Sequence, residues 1–172
     1  MKIKFFSMVL LVFFNSFACA SSFTANFTGS LSHGACTLSS ASAEQTIDFG
    51  SIINKYLIAN GVSPKQPLII QLSGCDITSI KYAKVTFSGT ADSEQSDYLA
   101  VTGSAKGIAI GIDTSDGVLL PINTTSPTMN LQDGTTNLLF YTYVKASSAA
   151  IANDGIGLGD FSSIATFVIS YE

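Results

Sequence analysis

The side chains of this sequence that could carry chemistry are few, and their spacing does not assemble a reactive site. His33 is the only histidine. A Ser–His–Asp triad would have to be built around it on an N-terminal arm beside Gly34, whereas the base of a triad needs a fixed orientation. Asp92, Glu94 and Asp97 alternate through Ala91-Asp92-Ser93-Glu94-Gln95-Ser96-Asp97 in a way that suggests a calcium loop. The glycine and closing glutamate of such a loop are missing, so the segment reads as a solvated acidic loop. Asp113 and Asp116 bracket Thr114-Ser115 and read as turn residues. Asn26-Phe27-Thr28 and Asn123-Thr124-Thr125 match the glycosylation pattern, which recurs by chance in a Thr-rich chain. Three cysteines and one histidine are too few for a structural metal site once Cys19 is assigned to a leader. Nor does any glycine-rich phosphate loop occur. The residues therefore supply no catalytic, cofactor-binding or metal-ligating set, and the chain is expected not to be an enzyme.

The leader is legible at the N-terminus. Lys2 and Lys4 precede an apolar run from Phe5 to Phe14 broken only by Ser7, and Ala18-Cys19-Ala20 offers small residues to a signal peptidase. Residues 1–20 are expected to be a signal peptide, too short and wrongly flanked for a membrane span. Lipidation at Cys19 is disfavoured by Ser16 and Phe17, which stand where a leucine and a small residue are wanted. All eight basic residues are Lys and two lie in the leader, so six face twelve acidic residues, a net charge of about −6. An acidic chain without Arg is a poor partner for nucleic acid or an anionic membrane. Cys36 and Cys75 remain, and in an oxidising compartment they read as one disulfide. Closing a loop of about forty residues contributes roughly 4 kcal/mol in the chain-entropy account.

The elements that must position any site are strands. Short apolar runs recur between turn signals, and no stretch of a dozen residues keeps a helical period. Ser22–Leu31 alternates strictly, with Phe23, Ala25, Phe27, Gly29 and Leu31 on one face. Further strands are expected over 46–53, 68–75, 82–89, 98–101, 106–113, 117–122, 138–146 and 161–171. Thr114-Ser115-Asp116 reads as a hairpin turn. Residues 54–67 read as a loop with one helical turn at Tyr56–Ala59, and 147–157 as a loop of small residues. This is the pattern of an antiparallel sandwich in a single domain. Both ends are apolar strands, and an exposed apolar edge is normally covered. The first strand either folds back on its own sheet or serves another molecule. Periodicity does not choose between these.

The order of motifs carries a resemblance. Phe27-x-Gly29-x-Leu31 stands before Cys36; Ile47-Asp48-Phe49-Gly50 and Ile69-Ile70-Gln71-Leu72-Ser73-Gly74-Cys75 follow. Val85-Thr86-Phe87-Ser88-Gly89-Thr90-Ala91 and Gly107-Ile108-Ala109-Ile110-Gly111-Ile112 come next, with Gly159 fourteenth from the last residue and Tyr171 penultimate. Over residues 21–172 the chain is similar to chaperone–usher pilins of the type 1 fimbrial major-subunit family. The resemblance implies an all-β, incomplete immunoglobulin-like sandwich over 36–172 that lacks its last strand. A donor strand from a periplasmic chaperone or a neighbouring pilin subunit would complete it, with an outer-membrane usher catalysing the exchange. Residues 21–35 would be the donor extension, with Phe23, Ala25, Phe27, Gly29 and Leu31 facing a neighbour's groove. Phe27 and Leu31 would fill pockets and Gly29 a shallow point, unless Gly29 marks a strand bulge. Gly159, Ala165, Phe167, Ile169 and Tyr171 would line this subunit's own groove, and Glu172 would anchor on basic residues of the chaperone. The protein would pass through the periplasm to an extracellular fimbrium, support adhesion, and need no cofactor. The alternative is a minor or tip pilin that itself binds a host glycan or protein, although the chain has no room for an added lectin domain.

Overall fold

The computed structural model describes residues 36–172. The leader at 1–20, the extension at 21–35 with its candidate strand, and His33 lie outside the described residues. From the first cysteine the chain forms β1 (Thr37–Leu38), α1 (Ser40–Ala43), α2 (Asn54–Asn60), β2 (Gln66–Cys75) and β3 (Tyr82–Ser88). It continues through β4 (Leu99–Ala100), β5 (Thr102–Gly103), β6 (Ile108–Thr114), β7 (Met129–Asn130) and β8 (Gly134–Ala146). Last come α3 (Ser148–Ala152), β9 (Phe161–Ser162) and β10 (Thr166–Tyr171).

Alternation along the strands builds two layers. The larger sheet has the order β1-β2-β8-β6-β4 and the smaller β10-β3-β7, with β5 and β9 forming a separate ribbon. Every ladder is antiparallel. Ile70 and Leu72 of β2 and Leu138, Phe140 and Val144 of β8 point inward and are almost wholly buried. Ala83, Val85 and Phe87 of β3 do the same in the smaller sheet. Phe87 meets Phe140 edge-on at 5.0 Å between ring centres, joining the layers across the core. Burying each such side chain contributes about 1.5–3 kcal/mol. Cys36 and Cys75 are disulfide-bonded, tying the start of the described chain to the end of β2.

Several sequence expectations are corrected. Residues 46–53 form no ladder: the Asp48 side chain accepts the Gly50 N–H at 2.8 Å and Gly50 turns left-handed at φ +60. Phe49 and Ile52 still pack on the core, which explains the strand-like pattern. The single helical turn expected at Tyr56–Ala59 is a longer helix, α2, closed by Gly61 at φ +74, whose N–H reaches Leu57 O at 2.7 Å. The supposed loop at 147–157 contains α3, started by the Ser147 hydroxyl accepting Ala150 N–H. β8 begins at Gly134 rather than at Leu138. The turn after β6 exists, with Gly117 N–H donating to Thr114 O at 2.9 Å. Its second arm, however, makes only the Asp113–Leu119 bridge and is not a strand. The expected strand over 161–171 is two: β9 pairs with β5 and β10 with β3.

Candidate functional site

β10 alternates Thr166, Val168 and Ser170 with Phe167, Ile169 and Tyr171, and it pairs with β3 from Thr166 opposite Ser88 to Tyr171 opposite Ala83. The second set faces the core, yet all three remain only half-buried. Their partners one strand inward, Phe87, Val85 and Ala83, are at most 3% exposed. Phe167 lies 6.2 Å from Phe87 between ring centres. β10 is an edge strand, and among the described residues no strand pairs with its other side. The sheet thus ends on a row of apolar side chains and a line of backbone donors and acceptors with no described ladder partner. Burial pushes the Tyr171 phenol above its ordinary pKa.

The end of β10 is pinned. Glu172 N–H donates to Tyr82 O at 2.9 Å, and the Glu172 main-chain oxygen accepts from Lys81 and Tyr82 N–H, each at 3.0 Å. The Glu172 carboxylate also pairs with Lys84 Nζ at 2.7 Å on the surface. Of the residues singled out from the sequence, Phe167, Ile169 and Tyr171 share one row and Glu172 closes it. Ala165 is exposed and stands just before β10. Gly159 precedes β9 at φ +141, where a Cβ would meet Ser104 Cβ at 2.9 Å and Ala105 N at 3.2 Å. That close approach to another loop accounts for a glycine there.

The candidates for chemistry resolve into structural parts. Asp92 Oδ1 accepts the N–H groups of Glu94 and Gln95, each at 3.0 Å, which folds the acidic loop on itself. Among the described residues no group of three His, Cys, Asp or Glu side chains is placed to hold a metal ion. Asn123 sits at φ +64, with its amide accepting Gly89 N–H and donating to Gly89 O, each at 3.1 Å. Asp113 is more than a turn residue. It is 3% exposed, pairs with Lys65 at 2.6 Å and accepts the Tyr143 hydroxyl at 3.0 Å. Lys65 Nζ also lies 5.5 Å above the Tyr143 ring. Burial first, then Asp113, raises the Tyr143 pKa far above its ordinary range. Sequence reading missed this cluster because the register of β6 on β8 brings Asp113 near Tyr143, with Gly111 standing opposite Tyr143, and Lys65 reaches them from just before β2.

The sequence profile of the family described as "Fimbrial protein" matches residues 25–172. The chain belongs to the fimbrial protein family. It is 34% identical over 153 residues to the probable major fimbrial subunit LpfA of Escherichia coli O157:H7, covering 87% of this chain and 83% of that one. It is 31% identical over 146 residues to the fimbria A protein of Serratia marcescens, covering 85% and 82%. The crystal structure of the P pilus rod subunit PapA superposes with a TM-score of 0.71 at 32% identity, over 81% of this chain and 100% of that one. The fold is the immunoglobulin-like sandwich of chaperone–usher pilins, and this pilin is a structural subunit rather than an enzyme.

Proposed function

We propose that this pilin is a fibre-forming subunit of a chaperone–usher fimbria and polymerises by donor-strand exchange. The observation that carries the reading is the outer edge of β10, where Phe167, Ile169 and Tyr171 stay half-buried beside a backbone edge with no described strand on it. An added strand would satisfy that edge and finish covering the row, with alternate side chains setting its register. The alternating segment Phe23 to Leu31 has the chemistry of such a strand. Burying Phe23, Phe27 and Leu31 in a neighbour would contribute on the order of 5–9 kcal/mol. A joint of this kind opens by unfolding-like steps and is therefore long-lived, as an extracellular fibre supporting adhesion requires. In this reading a periplasmic chaperone holds the edge first, near Glu172, and an outer-membrane usher hands it to the next subunit.

The test compares residues 21–172 with residues 34–172, each alone and with a peptide of residues 22–32. Strand exchange predicts a truncated domain that is marginal alone and gains several kcal/mol with the peptide, while the longer chain forms linear polymers. A longer chain that stays a stable monomer, with a peptide that adds nothing to the shorter one, overturns it.

A further inference from the structure

A strand edge left open pairs with any strand that reaches it, and sheets normally blunt such edges with charge, proline or cover. In this subunit β2 is the rival to β10. It runs ten residues, Gln66–Cys75, without a charge, and its inward Ile70 and Leu72 are fully buried. β1 pairs with it only at Ser73 and Leu72. Beyond that point the edge is closed by other groups. Ser39 N–H donates to Gln71 O at 3.0 Å, and the buried Ser42 hydroxyl accepts Gln71 N–H at 2.8 Å. Gln45 Nε2 donates to Ile69 O at 3.0 Å. Pro67, next in the same alternate set, has no N–H to offer. The far edge of β3 is treated alike beyond its two β7 pairs. Val85 N–H donates to Ser126 Oγ at 2.9 Å and Gly89 N–H to Asn123 Oδ1 at 3.1 Å. Among the described residues, β10 is the six-residue edge that has no such cover.

We propose that Ser42, Gln45 and Pro67 select the acceptor edge: by closing β2 they leave β10 as the place where a donor strand adds. The proposal rests on strand exchange and names the residues that steer it. Linear growth depends on such steering. A subunit with one donor arm and one acceptor edge grows only as an unbranched thread. Given a second acceptor edge, each subunit takes two neighbours and the fibre forks. Because β2 carries no charge to repel an incoming strand, its protection falls to these three residues. A strand arriving there must displace Ser42 and Gln45 from bonds already made, and it finds no donor at Pro67. At β10 every backbone bond it forms is new.

The experiment refolds residues 21–172, as wild type and as Ser42→Ala/Gln45→Ala, with excess peptide of residues 22–32 and reads backbone hydrogen exchange. A second pair, Gln45→Ala/Pro67→Thr, changes exposed positions only and decides the matter if the first does not fold. Before peptide is added, Ser42→Ala should speed exchange at the Gln71 amide about tenfold, the loss of one hydrogen bond. With peptide, wild type is expected to gain protection along β10 alone, and the variants along β2 as well. Without peptide, electron microscopy should show unbranched wild-type fibres and forked variant fibres. Variants that gain no protection on β2, or whose fibres stay unbranched, overturn the steering and leave strand exchange standing. So does wild type that is protected on β2. Wild type that gains no protection on β10 overturns strand exchange itself, and the steering with it.

Discussion

Replacing Gly111 by alanine tests how tightly the outer face of β6 is built. Gly111 lies in an ordinary strand conformation opposite Tyr143, so alanine meets no backbone strain there. On backbone grounds alone Gly→Ala in a strand gains about 0.5–1 kcal/mol. The structure reverses that sign. A Cβ at Gly111 would stand 2.6 Å from Tyr143 Cε2 and 2.8 Å from its hydroxyl oxygen, so the ring must move off the strand. Displacing a packed ring costs about 1–3 kcal/mol. Taking the hydroxyl from the buried Asp113 carboxylate costs about 1–3 kcal/mol more. The expected net loss is about 1–5.5 kcal/mol, measured by urea unfolding of the oxidised protein. In a Tyr143→Ala background the obstacle is gone, and Gly111→Ala should become neutral or stabilising by up to about 1 kcal/mol. An equal cost in both backgrounds, or no cost in the wild type, refutes the reasoning.

Replacing Cys36 and Cys75 together by serine should cost about 4 kcal/mol in the same assay, from the 39-residue separation they span. Stability should fall as pH rises above about 10, because unfolded tyrosines ionise there while Tyr143 stays protonated when folded, with a limiting slope near 1.4 kcal/mol per pH unit for that group. Tyr143→Phe should flatten that fall, and an unchanged alkaline limb would sink the assignment. Phe167→Ala should weaken binding of the 22–32 peptide at least tenfold by titration, since it removes the aromatic side chain of the edge row that packs beside Phe87 at 6.2 Å between ring centres. Lys84→Ala should change subunit stability by less than about 1 kcal/mol, because its pair with Glu172 lies at the surface.

Where the sequence read correctly, one local signal agreed with burial. β3 and β10 alternate cleanly, and their inward residues are the ones that face the core. Residues 46–53 misled because alternation also describes an extended segment laid on a core without a ladder, here turned within itself by Asp48 bonding Gly50. α3 escaped because Ser148–Ala152 is short and made of small residues, although Ser147 is a cap visible in the sequence. The edge role of β10 was reached through resemblance and not through periodicity, since an edge strand and a central strand can alternate alike. The Lys65–Asp113–Tyr143 cluster was out of reach altogether. Its partners are 30 and 48 positions apart, and no local pattern records a register.

The turns that close α2 and follow β6 bear on how this protein ages. Asn60-Gly61 and Asp116-Gly117 are dipeptides in which the glycine nitrogen can attack the preceding side-chain carbonyl, forming a succinimide that later opens to isoaspartate. In both, the attacking nitrogen is occupied: Gly61 N–H donates to Leu57 O at 2.7 Å and Gly117 N–H to Thr114 O at 2.9 Å. Gly155, after Asp154, is held in the same way by Ala150 O at 2.8 Å. Each bond must break before the ring can close, so the hydrogen bonds that shape these turns also slow their chemical decay. Folding therefore protects these three dipeptides from isoaspartate formation for as long as their turns stay closed.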